Sequence, residues 1–431
     1  MADNSINELK KILAIQPTNF AVLDTLGFIY LNLKKDNIKA KDYFKKSLQY
    51  NNSHIHSINN LGVVYLYENN LLLAEKQFLH AIEINPIYEN AYENLASLYI
   101  SQRKLPQAIS ILNRATLNNI KLSYIWRHQY GWLLIQEKNY TKAMKVYLAL
   151  IQEEPSNSLL YNNLGICYLN TGSRAKAIEY FKKSISIFKQ DSKQQYDIRG
   201  LLAFYNLARR AIEDDNIALL SQLVKDIQYY DSKNGFATYL LGMISIKQND
   251  FANAKKYFLE ALKINSLPDI YISLSFIYSA IERDYKESLK ILNEAIEKKL
   301  MYNAIYNNLA FTYIKMGDLK SGRKILDIFG ENLPIGIMPT KGLLLIREGE
   351  LAKGITLFDD ATKGFTSKNE ITVLNQIKNF EIAFYWFHKH NSKKAKEYLD
   401  YAKTLGETYM KQEIDELEKM IYPKAYKGKH D

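Results

Sequence analysis

Large apolar residues recur along this chain at spacings of three and four, and small residues fall at fixed phases between them. Numbering from Ile55 as position 1, Ile58, Leu61, Gly62 and Tyr65 stand at positions 4, 7, 8 and 11. That spacing puts all four on one face of a helix. A break near position 15, at Asn69, suits the left-handed conformation that ends a helix. Ala74, Phe78 and Ala81 at positions 20, 24 and 27 then mark one face of a second helix, and Pro86 at position 32 stops it. From Glu89, 34 residues on, the pattern starts again as Leu95-Ala96, Tyr99, Ala108, Leu112 and Ala115.

The same template runs along nearly the whole chain. Position 8 is Gly27, Gly62, Ala96, Gly131, Gly165, Ala208, Gly242, Ser275, Ala310, Gly342 and Ala383 in successive units, always small. A small residue there lets the second helix approach closely, while large residues at positions 4, 7, 11 and 24 fill the space between. A coiled coil would repeat every seven residues instead. The reading predicts a capping helix over 1–19, five repeats over 20–191 and an irregular polar connection over 192–200. Four repeats follow over 201–334, then two degenerate ones over 335–410, and a capping helix and tail over 411–431. Repeat 6 departs from the pattern with Leu220 at position 20, and repeat 10 with Lys341 at position 7 and a helix start delayed by Pro339. These two places are candidate hinges. A longer connection is expected from Gly364 to Glu370.

In its period and in the Leu-Gly, Tyr, Ala, Phe, Ala, Pro pattern, the chain resembles the tetratricopeptide repeat family, with about eleven units. The resemblance implies an all-α, right-handed superhelical solenoid of antiparallel helix pairs. It also implies that the first helix of each pair lines a concave groove, with positions 2, 5, 6, 9, 12 and 13 looking into it.

On those implied groove positions the residues fall into two sets. Position 6 carries Asn60, Asn94, Gln129, Asn163 and Asn206 in repeats 2 to 6, and Asn308 in repeat 9. A side-chain amide both donates and accepts, so a ladder of amides can hold the main chain of an extended peptide. The alternative is that these amides only satisfy local groups, and both readings remain open. Position 9 is unusually apolar, with Phe28 and Trp132 the largest side chains in the first half. Position 12 is apolar too, and packing between neighbouring first helices accounts for it.

Charge alters the picture only slightly. The formal net charge is +11, which suggests a polyanion. The lysines, however, sit in short runs with acids and aromatics, as in Lys41-Asp42-Tyr43-Phe44-Lys45-Lys46 and Lys255-Lys256-Tyr257-Phe258, the pattern of a solvated helix face. Arg127 and Arg209 stand singly, without the consecutive cations that a carboxylate clamp needs. The only cysteine, Cys167, lies between Ile166 and Tyr168 and reads as core. His54/His56 and His388/His390 are two residues apart, which points the rings away from one another on a helix. No phosphate loop, catalytic set, metal cluster or cofactor motif stands out, and no apolar run reaches the ~18 residues of a membrane span.

The expectation is a cytoplasmic, non-enzymatic adaptor or scaffold that holds an extended segment of a partner protein. Its binding residues would be Asn60, Asn94, Gln129, Asn163, Asn206, Asn308, Phe28 and Trp132, with no cofactor and no transmembrane segment. Two alternatives stay open: a nucleic-acid-binding helical array, and a regulatory subunit for an enzyme encoded elsewhere.

Overall fold

The computed structural model describes residues 2–190, 198–365, 367–406 and 410–422. Most of the expected connection over 192–200 and the tail beyond Tyr422 lie outside the described residues. Among the described residues there are twenty-four α-helices, short 3-10 and π turns, and no strand. Packing divides the chain into two compact units, residues 1–207 and 208–431, with the division falling inside one helix of repeat 6.

Unit 1 opens with α1 (Ala2–Ile15) and continues as helix pairs. These are α2 (Phe20–Asn32) with α3 (Asn37–Tyr50), α4 (Ile55–Tyr67) with α5 (Leu71–Ile84), and α6 (Glu89–Ser101) with α7 (Leu105–Leu117). Then come α8 (Tyr124–Gln136) with α9 (Tyr140–Glu153), α10 (Ser158–Asn170) with α11 (Arg174–Gln190), and α12 (Leu202–Glu213), in which the unit ends.

One turn design joins the two helices of each pair. In repeat 2, Asn69 takes the left-handed conformation (φ 57°). The next residue, Asn70, donates its backbone N–H back to Tyr65 O at 2.8 Å. Its side-chain oxygen then accepts from Leu73 N at 3.3 Å, starting α5. One helix is thus closed and the next capped within two residues. Asp250 and Asp318 do the same after Asn249 and Gly317. The left-handed residue need not be Gly or Asn: Lys35, Arg103, Lys138, Arg283 and His390 hold it elsewhere.

In repeats 1, 2, 4, 5, 7 and 10 the glycine at position 8 meets an aromatic at position 24, whereas repeats 3, 8, 9 and 11 carry Leu there. A β-carbon added at Gly62 would lie 2.6 Å from the Phe78 ring, and one at Gly165 would lie 2.6 Å from the Phe181 ring. The rings are fully buried, as are Ala74 and Ala81. Successive first helices α2, α4 and α6 lie against one another, whereas no comparable packing joins the second helices α3, α5 and α7. The first-helix layer is therefore the inner side of unit 1, as the resemblance implied.

Unit 2 follows the same plan with marked departures. Its helices are α13 (Ile217–Tyr230), α14 (Gly235–Lys247), α15 (Phe251–Ile264), α16 (Pro268–Phe276), α17 (Tyr285–Glu297) and α18 (Asn303–Lys315). Then follow α19 (Leu319–Leu326), α20 (Met338–Glu348), α21 (Leu351–Gly364), α22 (Lys368–His388), α23 (Ser392–Thr404) and α24 (Lys411–Ile421). Leu220, the large residue at position 20 of repeat 6, is fully buried with Leu223, Val224 and Ile227. α16 runs on into a π turn, Ile277–Ile281, and α19 gives way after eight residues to a 3-10 turn, Asp327–Phe329. α22 is 21 residues long and begins at Lys368, where Ser367 caps it by accepting from Glu370 N. The long connection expected over 364–370 is therefore short, because helix occupies most of the polar stretch after Ser367.

Candidate partner-binding face

In unit 1 the five-residue seam of position 9 is open where the side chains are largest. Phe28 is 50% exposed and Trp132 is 40% exposed, and both belong to first helices of the inner layer. Ser97 between them is also exposed, while Val63 and Ile166 are half-buried. Position 12 behaves differently: Leu31 is buried and Leu66, Ile100, Ile135 and Leu169 are half-buried. Leu66, Ile100 and Ile135 pack against the buried core.

The position-6 amides are engaged to unequal degrees. Asn94 Nδ2 donates to Asn59 Oδ1 of the preceding repeat at 3.0 Å. Asn206 Nδ2 donates likewise to Asn162 Oδ1 at 2.8 Å. Asn163 is buried and donates to the Tyr147 hydroxyl at 3.2 Å while accepting from Asn162 Nδ2 at 3.3 Å. Asn308 Nδ2 donates to Ser275 Oγ at 2.9 Å and to Ile272 O at 3.2 Å. Asn60 and Gln129 are half-buried and make no hydrogen bond among the described residues. Each engaged amide except Asn163 keeps its carbonyl oxygen unused, so the row retains part of its bonding capacity.

The acceptors Asn59 and Asn162 were not singled out from the sequence. They sit at position 5, immediately before a position-6 amide, and are buried. Their signal was present in the doublets Asn59-Asn60, Asn162-Asn163 and Asn307-Asn308. In two of these doublets the first asparagine, Asn59 or Asn162, receives a bond from position 6 of the next repeat.

The isolated arginines are occupied. Arg127 binds Glu153 through both terminal nitrogens, at 2.6 and 2.7 Å, and Arg209 pairs with Asp269 at 2.9 Å. Lysines of both aromatic–lysine runs find carboxylate partners. Lys41 pairs with Glu68 at 2.7 Å and lies 5.0 Å over the Tyr65 ring; Lys255 pairs with Glu282 at 2.6 Å and lies 5.4 Å over Tyr278. Cys167 is wholly buried, and burial pushes its thiol up to about 12. Among the described residues no group of three or more His, Cys, Asp or Glu could hold a metal, and no helix is long and apolar enough to cross a membrane.

The inner layer of unit 2 is covered by the chain itself. Glu381, only 1% exposed, pairs with Arg347 at 2.6 Å and stands 3.7 Å from Lys315. Lys315 turns to Glu413 of α24 at 2.8 Å, and Arg283 reaches Glu416 of the same helix at 2.7 Å. The Arg347 guanidinium stacks 3.7 Å over Phe384. α24, expected as a terminal cap, thus also spans repeats 8, 9 and 11 by charge, with Ile414, Leu417 and Ile421 buried beneath it. The hydrogen bond from Arg283 holds the Glu416 carboxyl below the usual range.

Comparison with known proteins decides the family. Tetratricopeptide repeat models match residues 55–88, 93–158, 158–191 and 237–266. The chain is a tetratricopeptide repeat protein. Proteins built of this repeat generally mediate protein–protein interaction and scaffolding. The tetratricopeptide array is similar to TPR repeat-containing protein MJ1428 of Methanocaldococcus jannaschii, 21% identical over 80% of this chain and 58% of that protein. It is also similar to the type IV pilus assembly protein PilF of Pseudomonas aeruginosa, 26% identical over 33% of this chain and 57% of that protein. It therefore spans less than two thirds of the length of these relatives. Among solved structures it is similar to YrrB, described as a TPR protein with an unusual peptide-binding site. That likeness has a TM-score of 0.37 at 19% identity, covering 46% of this chain and 96% of that one.

Proposed function

We propose that the inner face of unit 1 holds an extended segment of a partner protein, and that the chain acts in the cytoplasm as a non-enzymatic adaptor. The observation that carries this reading is the pair of exposed aromatics, Phe28 and Trp132, on a layer whose neighbouring positions carry amides. A large aromatic left half in water on an otherwise well-packed array supplies anchor area for a partner. Asn60 and Gln129, with both polar atoms uncommitted, are the amides best placed to bond a peptide main chain; Asn94, Asn163 and Asn206 contribute what their internal bonds leave.

Matched lysines weigh against the nucleic-acid reading, since a polyanion would have to displace ion pairs already made. The test is affinity capture from the native host with the intact chain and with Phe28→Ala plus Trp132→Ala. Loss of a specific co-purifying protein in the double variant is expected, with an unchanged circular dichroism spectrum. Retention of that protein would overturn the reading. Binding of RNA or DNA that weakens steeply with salt would favour the polyanion alternative.

A further inference from the structure

Three irregularities of unit 2 converge on one cavity of about 210 Å³. The π turn after α16 supplies Ser279 and Ala280, and the delayed start of α20 supplies Gly336, Pro339 and Thr340. The early start of α22 supplies Leu374 and Ile377, which precede or open the regular phase of repeat 11. Phe276, Phe311, Phe358 and Phe365 complete the walls. A π turn inside a helix recurs at binding sites because it re-aims side chains that a regular helix would stack.

The polar lining is nearly all committed. Ser279 Oγ donates to Ser275 O at 2.7 Å, and Asn308 bonds Ser275 and Ile272. Asn307 Oδ1 is the exception: it is buried and accepts no hydrogen bond. The repeat chemistry explains why. Asn59 and Asn162, at the same position 5, accept from Asn94 and Asn206 at position 6 of the following repeat. In repeat 10 that position is Thr340. Its side chain is shorter and carries no amide N–H, so both the donor and its volume are missing there.

The guest that replaces them is neutral. Lys315 and Arg347 near the cavity are balanced by Glu381 and Glu413, so the surroundings offer no net charge to an ion. We propose that the cavity is a second binding site, which takes the indole side chain of a partner tryptophan. The ring packs among the phenylalanines, and its N–H donates to Asn307 Oδ1. A dry apolar cavity of about 150 Å³ holds benzene, and the larger volume here accommodates the fused second ring. Burial of such a ring against aromatic edges and faces is favourable in offset or edge-on geometry. That the guest belongs to a partner protein rests on the reading of the chain as an adaptor; the pocket chemistry itself does not.

The test uses calorimetric titration of the full chain with N-acetyltryptophanamide, indole and 1-methylindole. Saturable binding of the first two is expected, with 1-methylindole at least about tenfold weaker because it cannot donate. Thr340→Asn restores the missing rung and should abolish binding while leaving the helical spectrum unchanged. Asn307→Leu should remove the preference for indole over 1-methylindole. Absence of saturable indole binding, equal binding of 1-methylindole by the unaltered chain, or binding that survives Thr340→Asn would each overturn the proposal. Binding of free indole but not of N-acetyltryptophanamide would overturn the side-chain assignment. Phe28→Ala plus Trp132→Ala should leave indole binding intact, so failure of the unit 1 face and failure of this site are read separately.

Discussion

Units 1 and 2 are built from the same repeat, yet they treat their inner faces in opposite ways. In unit 1 the left-handed turn between paired helices recurs on schedule, and Phe28 and Trp132 are left half in water. In unit 2 the schedule slips three times, and no aromatic at the equivalent positions stands as exposed. Leu343 at position 9 is buried, Phe276 and Phe311 are half-buried, and α24 lies across Arg283 and Lys315. The lesson is that regular repeats leave an inner face available, whereas small departures in helix length let the chain cover that face with its own residues. What regularity exposes in one unit, irregularity encloses in the other.

The largest test of this contrast is Glu381→Leu. Glu381 is buried and paired with Arg347, so its removal strands that guanidinium while Lys315 keeps Glu413. Breaking a buried charge set in this way costs about 3–5 kcal/mol, and chemical denaturation should show the loss in a transition of unit 2. A loss below about 1 kcal/mol, the scale of an exposed pair, would mean that charge does not hold the covered face. Next comes Gly165→Val in unit 1, where a β-carbon would already lie 2.6 Å from the Phe181 ring. Overpacking of this kind costs about 1–3 kcal/mol, and the melting temperature should fall. An unchanged melting temperature would show that the pair can spread and that the regular unit is softer than its packing indicates.

The pH dependence sharpens the contrast further. The folded pKa of Glu416 lies below its unfolded value, because Arg283 hydrogen-bonds the carboxylate. Its stabilising contribution is therefore complete above the unfolded value and is lost as pH falls through the folded one. Hydrogen exchange should report α24 loosening on acidification, and Glu416→Gln should remove that part of the response. The smallest effect belongs to Phe28→Ala, expected to change stability by no more than about 0.5 kcal/mol as an exposed substitution. A clear loss of stability by denaturation would show that Phe28 is structural and would weaken its assignment as an anchor.

The fold is largely legible in the sequence because its rules are local. Small residues at positions 8 and 20 and a large residue at 24 must meet within one helix pair, and their spacing states so directly. The binding face was legible only in part. The exposed phase of Phe28 and Trp132 is readable from their spacing. The doublet asparagines were visible, but their bonds join residues such as Asn59 and Asn94 in different repeats, so the sharing of amides between core and surface could not be inferred from spacing. The role of α24 was least accessible. Arg283 and Glu416 lie 133 residues apart, and nothing in the amphipathic pattern of 411–421 names a distant cation as its counterpart.

The turns between paired helices carry a consequence for engineering. Lys35, Arg103, Lys138, Arg283 and His390 hold a backbone conformation that costs a side-chain-bearing residue about 1 kcal/mol or more. All except Arg283 are solvent-facing, and they belong to separate repeats. Glycine at Lys35, Arg103, Lys138 and His390 would relieve that strain at four independent points, and effects at sites sharing no partner add. The array thus contains its own route to a hardened scaffold, one that raises thermal tolerance step by step and leaves its recognition chemistry untouched.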